Sequence, residues 1–341
     1  VKIAVIGAGG WGTALAKILS ENEIQVILWC REEDVRRSIG ERRENVRFLP
    51  GISLGATLRT TGSLEEAVRG AEVLLLAVPS PYLRSVLSGL APWARGVASI
   101  VSATKGLEET THFRMSEVIS QTLEGVAPVV LSGPTFAREA ALGEPTALVA
   151  ASADLEGALE IQARFSTPSF RIYTNDDVLG VELGGALKNV IALAVGVATG
   201  LGLGHNPKAA LMTRGLAEIS RLVAAMGGRR ETLFGLAGMG DLVLTCTGHL
   251  SRNRQVGIEL GKGRSLEDVL AGMEQVAEGV RTTHAAVSLA KEHGVEVIFF
   301  DKRINFVTPN KTGKSAWFAT SWFTWGLGVG QALTFEHLEA A

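Results

Sequence analysis

Residues 2–19 read KIAVIGAGGWGTALAKIL. An apolar, β-rich run leads into Gly7-Ala8-Gly9-Gly10-Trp11-Gly12, and an Ala/Leu-rich helical pattern follows. In that setting each glycine of a G-x-G-x-x-G has its own reason. Gly7 makes the tight turn, Gly9 lets backbone approach a pyrophosphate, and Gly12 lets helix and strand pack closely. The helix N-terminus then supplies amide N–H groups and positive dipole to the phosphates. A glycine triplet alone says little, but one placed between a strand and a helix points to a dinucleotide site.

Working outward, short apolar runs recur at 25–30 (QVILWC), 72–78 (EVLLLAV), 97–103 (VASIVSA), 127–132 (APVVLS) and 146–151 (TALVAA), with amphipathic stretches between them. Strands apolar on both sides require a sheet covered on both faces, so the expected fold is α/β, a Rossmann-type doubly wound parallel sheet. From about Asp176 the β-branched runs give way to helical patterns over 177–198, 208–226, 252–262, 265–273 and 278–293. This predicts a dinucleotide-binding domain over 1–175 and an all-α substrate domain over 176–341, joined near Tyr173–Asp176. Residues 298–341 form an atypical tail that holds nine of the chain's twenty Phe, Trp and Tyr residues, and its stretch 315–330, SAWFATSWFTWGLGVG, has no convincing helical or alternating pattern.

A chain of 341 residues suits two domains. Lys and Arg number 33 against 35 Asp and Glu, a net charge of −2, with no basic excess of the kind nucleic acid or a membrane surface would select. Cys30 and Cys246 stand far apart and without metal-ligand spacing, so neither a disulfide framework nor a metal site is expected. A reduced, cytoplasmic setting fits them. Val1 runs straight into the first strand with no secretory pattern, so the sequence is expected to start inside the fold.

The segment 182–204, ELGGALKNVIALAVGVATGLGLG, carries one full charge after Glu182, at Lys188. A buried ammonium is costly unless paired or deprotonated. Gly196, Gly200, Gly202, Gly204 and Pro207 interrupt its second half, leaving an apolar helix of roughly three turns, short of the ~20 residues a bilayer requires. A buried core helix, and no membrane span, is the expectation.

Other candidates sit at strand ends or helix starts. Arg31 follows the second strand, where NAD-selective sites carry an acid; its planar fork suits a 2′-phosphate, though a solvated loop arginine reads the same way. The AVPS segment, 77–80, would lie along the cofactor crevice or be an ordinary strand-end turn. Lys105 lies just past a strand's C-terminal end, where open parallel sheets bind ligands. Gly133-Pro134-Thr135 could present backbone N–H and a hydroxyl to a ligand, or serve as a turn and cap. The stretch 235–257 gathers Asp241, Thr245, Ser251, Arg252 and Asn253, suited to a phosphate or carboxylate, although Ser251 is equally an N-cap and Glu278 a first-turn helix acid.

Taken together, GAGGWGTALA, TKGLE, LSGPTFARE, ELGGALKNVIALA, TRGLAEISRL, GLAGMGDLVLTCTGHLSRNRQVG and QVAEGVRT resemble, in order over roughly 1–297, the bacterial NAD(P)-dependent sn-glycerol-3-phosphate dehydrogenase family. The resemblance implies a 6-phosphogluconate-dehydrogenase-like helical domain and assigns roles to matching positions. Lys188 would be the general base. Lys105 would contact substrate and cofactor, Gly133 and Thr135 the substrate, and Ala137 the cofactor. Asp241, Ser251, Arg252 and Asn253 would bind glycerol phosphate, with Arg252 shared with the cofactor. Gly10, Trp11, Arg31, Val276 and Glu278 match cofactor-contact positions. It also implies NADPH or NADH as cofactor, a small-molecule substrate, and a cytoplasmic homodimer at the entry to phospholipid synthesis. Pro207 stands where the family more often has Thr, and after about Val297 the tail departs from the family's C-terminal helices, as a shifted reading frame would produce.

The expected chemistry is hydride transfer to C2 of dihydroxyacetone phosphate, with Lys188 donating a proton to the oxygen. A free lysine titrates near ~10.4, and burial together with Lys105 would lower that value. Two other readings are open. A ketopantoate or β-hydroxyacid reductase of the same architecture would need a carboxylate site instead of a phosphate site, and a non-catalytic NADPH sensor would have no use for Lys188, Asp241 and 251–253 together.

Overall fold

The computed structural model describes residues 1–22, 24–123, 125–273 and 277–293, and the backbone of 296–300, 321–324 and 333–336. The chain forms two compact units, Val1–Glu182 and Leu183–Ala341.

The first unit runs β1 (Lys2–Ile6), α1 (Gly10–Ser20), β2 (Gln25–Trp29), α2 (Glu33–Arg42), β3 (Arg59–Thr61), α3 (Leu64–Val68), β4 (Val73–Leu76), α4 (Ser80–Leu90), β5 (Ser99–Ser102), α5 (Met115–Thr122), β6 (Val129–Ser132), α6 (Ala137–Ala141), β7 (Thr146–Ala151), α7 (Leu155–Phe165) and β8 (Phe170–Asn175). Its eight strands lie in the order β3-β2-β1-β4-β5-β6-β7-β8. Alternation along each strand builds two cores. Ile3, Val5, Val26, Leu28, Val73 and Leu75 join one buried cluster, while Ala4, Ile6, Ile27, Trp29, Leu74 and Leu76 join the other. The first is covered by residues of α1 such as Leu15 and Leu19, the second by Leu83, Leu87 and Leu90 of α4 and Val118 and Ile119 of α5. Both faces are therefore dry, which is why these strands read as continuous apolar runs.

The sheet is not wholly parallel, since β6 pairs antiparallel with β7. Between those strands lies one five-residue helix, α6, and the chain turns back instead of crossing over. Two strands escape a reading of apolar runs. β3 is only Arg-Thr-Thr, and β8 alternates buried Phe170 and Ile172 with exposed Arg171 and Tyr173. The stretch expected as a link at 173–176 thus begins inside β8.

α8 (Val178–Gly200) follows, and then α9 (His205–Ala225), α10 (Asp241–Thr247), α11 (Arg252–Gly261), α12 (Leu266–Ala271) and α13 (Glu278–Glu292). Three strands close the order, β9 (Glu296–Phe300), β10 (Ser321–Thr324) and β11 (Leu333–Glu336), with β9 between the other two. α8 corrects the expected helix of three turns, being continuous over 23 residues. Its glycines do not break it because they are where it meets α11. A Cβ on Gly196 would stand 2.2 Å from the Arg254 carbonyl oxygen and 2.9 Å from Gly257 Cα; one on Gly200 would stand 2.2 Å from the Ile258 carbonyl oxygen and 2.9 Å from Gly261 Cα. The same spacing, four residues, on both helices makes a close crossing in which backbone touches backbone. Gly202, at φ +77°, lies just beyond the helix end. α8 is long and apolar enough to cross a bilayer, yet 67% of its apolar window is buried inside the protein, as in a core helix.

The crossing has a measurable consequence. Gly196→Ala should lower the unfolding free energy measured by urea titration by about 1–3 kcal/mol, because the added methyl pushes the helices apart. Gly40→Ala on the exposed face of α2, where a Cβ meets nothing within 4 Å, should instead raise stability by about 0.5–1 kcal/mol through helix propensity alone. Changes of the same sign would contradict the close crossing.

Candidate active site

In the first unit the glycine turn joins β1 to α1, and its glycines have separable causes. Gly7 has φ +113°, and a Cβ there would lie 2.7 Å from the Ala77 carbonyl oxygen. On Gly12 a Cβ would lie 1.9 Å from the Gly7 carbonyl oxygen. Packing excludes side chains at both. At Gly9 a Cβ would meet nothing within 4 Å, so no internal packing demands that glycine. Open space beside a helix N-terminus fits a pyrophosphate, and these residues suit a dinucleotide. Ala77, the first residue of 77–80, lies against the turn, as does Ala137, whose Cβ is 3.9 Å from where one on Gly10 would be. The Trp11 ring packs against the core beside Phe170, centroids 6.4 Å apart, and is partly buried there. Arg31 is exposed, donates from Nε and Nη2 to Glu32 Oε1 at 2.9 and 2.6 Å, and lies over the Tyr82 ring.

A second group forms where β5 and β6 end. Lys105 Nζ donates to the Gly133 carbonyl at 3.0 Å, and Thr135 Oγ1 donates to the same oxygen at 3.2 Å. Gly133 must be glycine, with φ +147° and a would-be Cβ only 2.8 Å from Leu148 Cα. Lys105 also lines a small recess with Thr104, Gly106, Leu131, Ser132 and Glu182. Glu182, for which no role was expected, is fully engaged. It accepts hydrogen bonds from Ser116 N–H at 2.8 Å, Ser116 Oγ at 2.5 Å and Arg114 Nη1 at 3.0 Å. That network ties the start of α8 to α5.

In the second unit Lys188 is buried and its ammonium is held. Nζ donates to Asp241 Oδ1 at 2.5 Å and to Thr245 Oγ1 at 2.7 Å, and Thr245 Oγ1 in turn donates to the Asp241 carbonyl at 2.6 Å. Asp241 and Thr245 lie one turn apart on α10, which starts directly after a π turn at Leu236–Gly240, so one helix face presents both acceptors. Cys246 stands in the same helix; burial pushes its thiol up to about 12, with Asp241 adding to the rise and Lys188 and Arg254 opposing it. It stays a neutral thiol beside the pair.

The 251–253 triplet opens α11. Ser251 Oγ accepts the Arg254 N–H at 3.3 Å as an N-cap, Arg252 is exposed, and buried Asn253 accepts the Gly279 N–H at 2.9 Å. That last bond brings the triplet beside Glu278, the first residue of α13. Val276 lies outside the described residues. In the sequence Thr245 stands only as a neighbour of Asp241, and its spacing of four from it is the signal that marks it. No cluster of three His, Cys, Asp or Glu side chains able to hold a metal occurs among the described residues.

The sequence profile described as NAD-dependent glycerol-3-phosphate dehydrogenase N-terminus matches residues 2–158, and that described as the C-terminus of the same enzyme matches 177–317. A protein of Koribacter versatilis named glycerol-3-phosphate dehydrogenase [NAD(P)+] is 56% identical over 301 residues, 87% of this chain and 89% of that one. The crystal structure of glycerol-3-phosphate dehydrogenase from Coxiella burnetii superposes with a TM-score of 0.83 at 40% identity, covering 86% of this chain and 90% of that one. A ketopantoate reductase from Ralstonia eutropha reaches a TM-score of 0.54 at 17% identity, covering 86% of this chain and 99% of that one, a likeness of fold alone.

Burial pushes the Glu182 carboxyl up, while Arg114 and Ser116 pull it down; burial is the larger effect. The folded state then holds this proton more tightly than the unfolded chain, so the contribution to stability is greatest below the ordinary carboxylate value of about 4.3 and falls as pH rises through the folded value. Relative to Glu182→Gln, the parent chain should be at its best in acid and lose ground toward neutral pH in urea midpoints. The opposite slope would mean that the Arg114 pair outweighs burial.

Proposed function

The chain belongs to the NAD-dependent glycerol-3-phosphate dehydrogenase family, and from this membership and its buried Lys188–Asp241–Thr245 cluster we infer that it reduces dihydroxyacetone phosphate to sn-glycerol 3-phosphate with NADH or NADPH. The cluster carries the reading, because a buried ammonium with two side-chain partners is a costly construction that neither a nucleotide sensor nor a plain core helix needs.

Reduced nicotinamide, when bound, supplies the hydride. As C2 is reduced its oxygen gains negative charge, and the Lys188 ammonium stabilises that charge and gives it a proton; in the oxidative direction the neutral amine takes the hydroxyl proton back. Asp241 and Thr245 fix where Nζ points. Arg252 offers the substrate phosphate a planar fork at the N-terminus of α11, with Ser251 and Asn253 beside it. Binding energy from that remote phosphate holds C2 in a reactive orientation. Lys105, Gly133 and Thr135 take the substrate in the dinucleotide-binding half, 1–175, with Lys105 also reaching the cofactor. Gly7, Gly9, Gly10, Trp11, Gly12, Arg31, Ala137, Arg252, Val276 and Glu278 hold the dinucleotide.

A cytoplasmic homodimer serving phospholipid synthesis belongs to the same proposal. Two buried free cysteines fit a reducing compartment. Exposed Phe234, Met239, Val243 and Leu250 concentrate apolar surface in one segment of the helical half, as an interface would. Light scattering should return twice the 36.0 kDa of the chain; a monomer would reject the dimer.

Lys188→Met should cut kcat by about 10²–10⁴ or more while NADPH still binds, measured by cofactor oxidation with dihydroxyacetone phosphate. Turnover near that of the parent, or oxidation driven by ketopantoate instead, would refute the assignment.

A further inference from the structure

The glycine turn has a support that none of these residues supplies. Asn45, in the segment between α2 and β3, is completely buried. Its Nδ2 donates to the Ala8 carbonyl at 2.9 Å and to Thr13 Oγ1 at 2.8 Å, and its Oδ1 accepts the Phe48 N–H at 3.0 Å. The Thr13 hydroxyl, also buried, donates to the same Ala8 carbonyl at 3.3 Å. Two buried side chains thus converge on one backbone oxygen of the G-x-G-x-x-G. The segment also touches the turn directly, since a Cβ on Gly10 would lie 2.8 Å from the Phe48 carbonyl oxygen.

What this fixes follows from peptide geometry. The bond between Ala8 and Gly9 is trans, and in a planar trans peptide the N–H points opposite to the carbonyl. With the Ala8 oxygen drawn inward to Asn45, the Gly9 N–H faces away from the core, at the one glycine of the motif that borders open space. A rotation of this peptide would show an anion the carbonyl oxygen instead of the N–H, replacing attraction by repulsion. Asn45 satisfies the oxygen in the inward orientation only.

We propose that Asn45 is a positioning residue for the dinucleotide, locking the Ala8–Gly9 peptide with its N–H turned toward the pyrophosphate, so that affinity for ligands bearing a 5′-diphosphate depends on it. This rests on the reading of Gly7–Gly12 as the dinucleotide turn.

Asn45→Asp in the full chain keeps the size and the acceptor for Phe48 N–H but puts an acceptor where the donor to Ala8 was. Dissociation constants for NADPH, ADP-ribose and 2′-AMP, which has the adenosine but no 5′-diphosphate, are compared by calorimetry. NADPH and ADP-ribose should bind about tenfold more weakly and 2′-AMP within about twofold of the parent, the effect of one lost hydrogen bond at the turn. The loss should shrink as pH falls, since a protonated Asp can again donate to Ala8, a trend a merely structural defect would not produce. Thr13→Val, which removes the second hold on Ala8 and one acceptor of Asn45 Nδ2 but keeps the Asn45 bond to Ala8, should give a smaller loss in the same sense and decides the matter if the Asp variant does not fold. Unchanged ADP-ribose affinity in a folded Asn45→Asp, equal loss for all three ligands, or no effect of Thr13→Val where that variant stands alone would overturn the proposal. Failure of the parent chain itself to bind ADP-ribose would instead remove the dinucleotide reading, and this inference with it.

Discussion

The helical unit is built around a buried ammonium, that of Lys188. Taking a lysine out of water costs several kcal/mol even after relaxation, and Asp241 and Thr245 meet Lys188 where it is buried. Those acceptors exist as a pair because α10 begins at Asp241, immediately after the π turn, and places Thr245 one turn on. On the other side, α8 must be held firmly enough that Nζ stays in register. Its glycines do this by letting α11 approach until backbone meets backbone. The run of glycines that looks like a weakness in a helix is therefore what makes the helix rigid in its place, since a crossing this close leaves no room for sliding.

In the proposed reading the first unit has a complementary problem, presenting donors to an anion without a fixed charge in the turn. Gly7 and Gly12 are glycines for internal reasons, because Ala77 and the Gly7 carbonyl leave no space. Gly9 is glycine with no internal reason at all, so its identity is informative about what lies outside the protein. Backbone N–H groups are strong donors only if their peptides are held still. The long segment from α2 to β3, which contributes little regular structure, earns its place by contributing Asn45 to that end.

The dry sheet was legible because each strand that is apolar on both faces announces itself in composition: Ile3 and Val5 face one core, Ala4 and Ile6 the other. β3 and β8 were not, since an edge strand of three residues and one with Arg171 and Tyr173 facing out lack that signal. Lys188 stood out as a charge in an apolar run, and Asp241 through its motif. Thr245 needed α10 to be recognised, and the glycines of 235–240 conceal it. Asn45 carries no periodic signal, and its partners lie 32 and 37 residues away in the chain, so only the folded backbone reveals it. Gly196 and Gly200 misled for a related reason: whether a glycine breaks a helix or admits a neighbour depends on whether a neighbour is present.

If Arg31 meets the cofactor as proposed, the end of β2 would admit either dinucleotide at little cost. Arg31 and Glu32 are adjacent, opposite in charge and already paired, with the Arg31 side chain 64% exposed. An ion pair in that much solvent is worth little, because water and salt compete for both partners. Exchanging Glu32 for a 2′-phosphate would therefore cost the proposed cofactor arginine almost nothing, while the doubly charged phosphate returns a stronger, forked contact. With no phosphate there, the arginine stays satisfied on Glu32 and leaves no unpaired buried charge behind. Discrimination needs an interaction that is expensive to lose in one of the two states, and an exposed pair supplies none. The dual NAD(P) use in the names of the relatives is thus matched here by the low cost of a surface ion pair, whereas Lys188 and Asp241, buried and mutually dependent, have no such freedom.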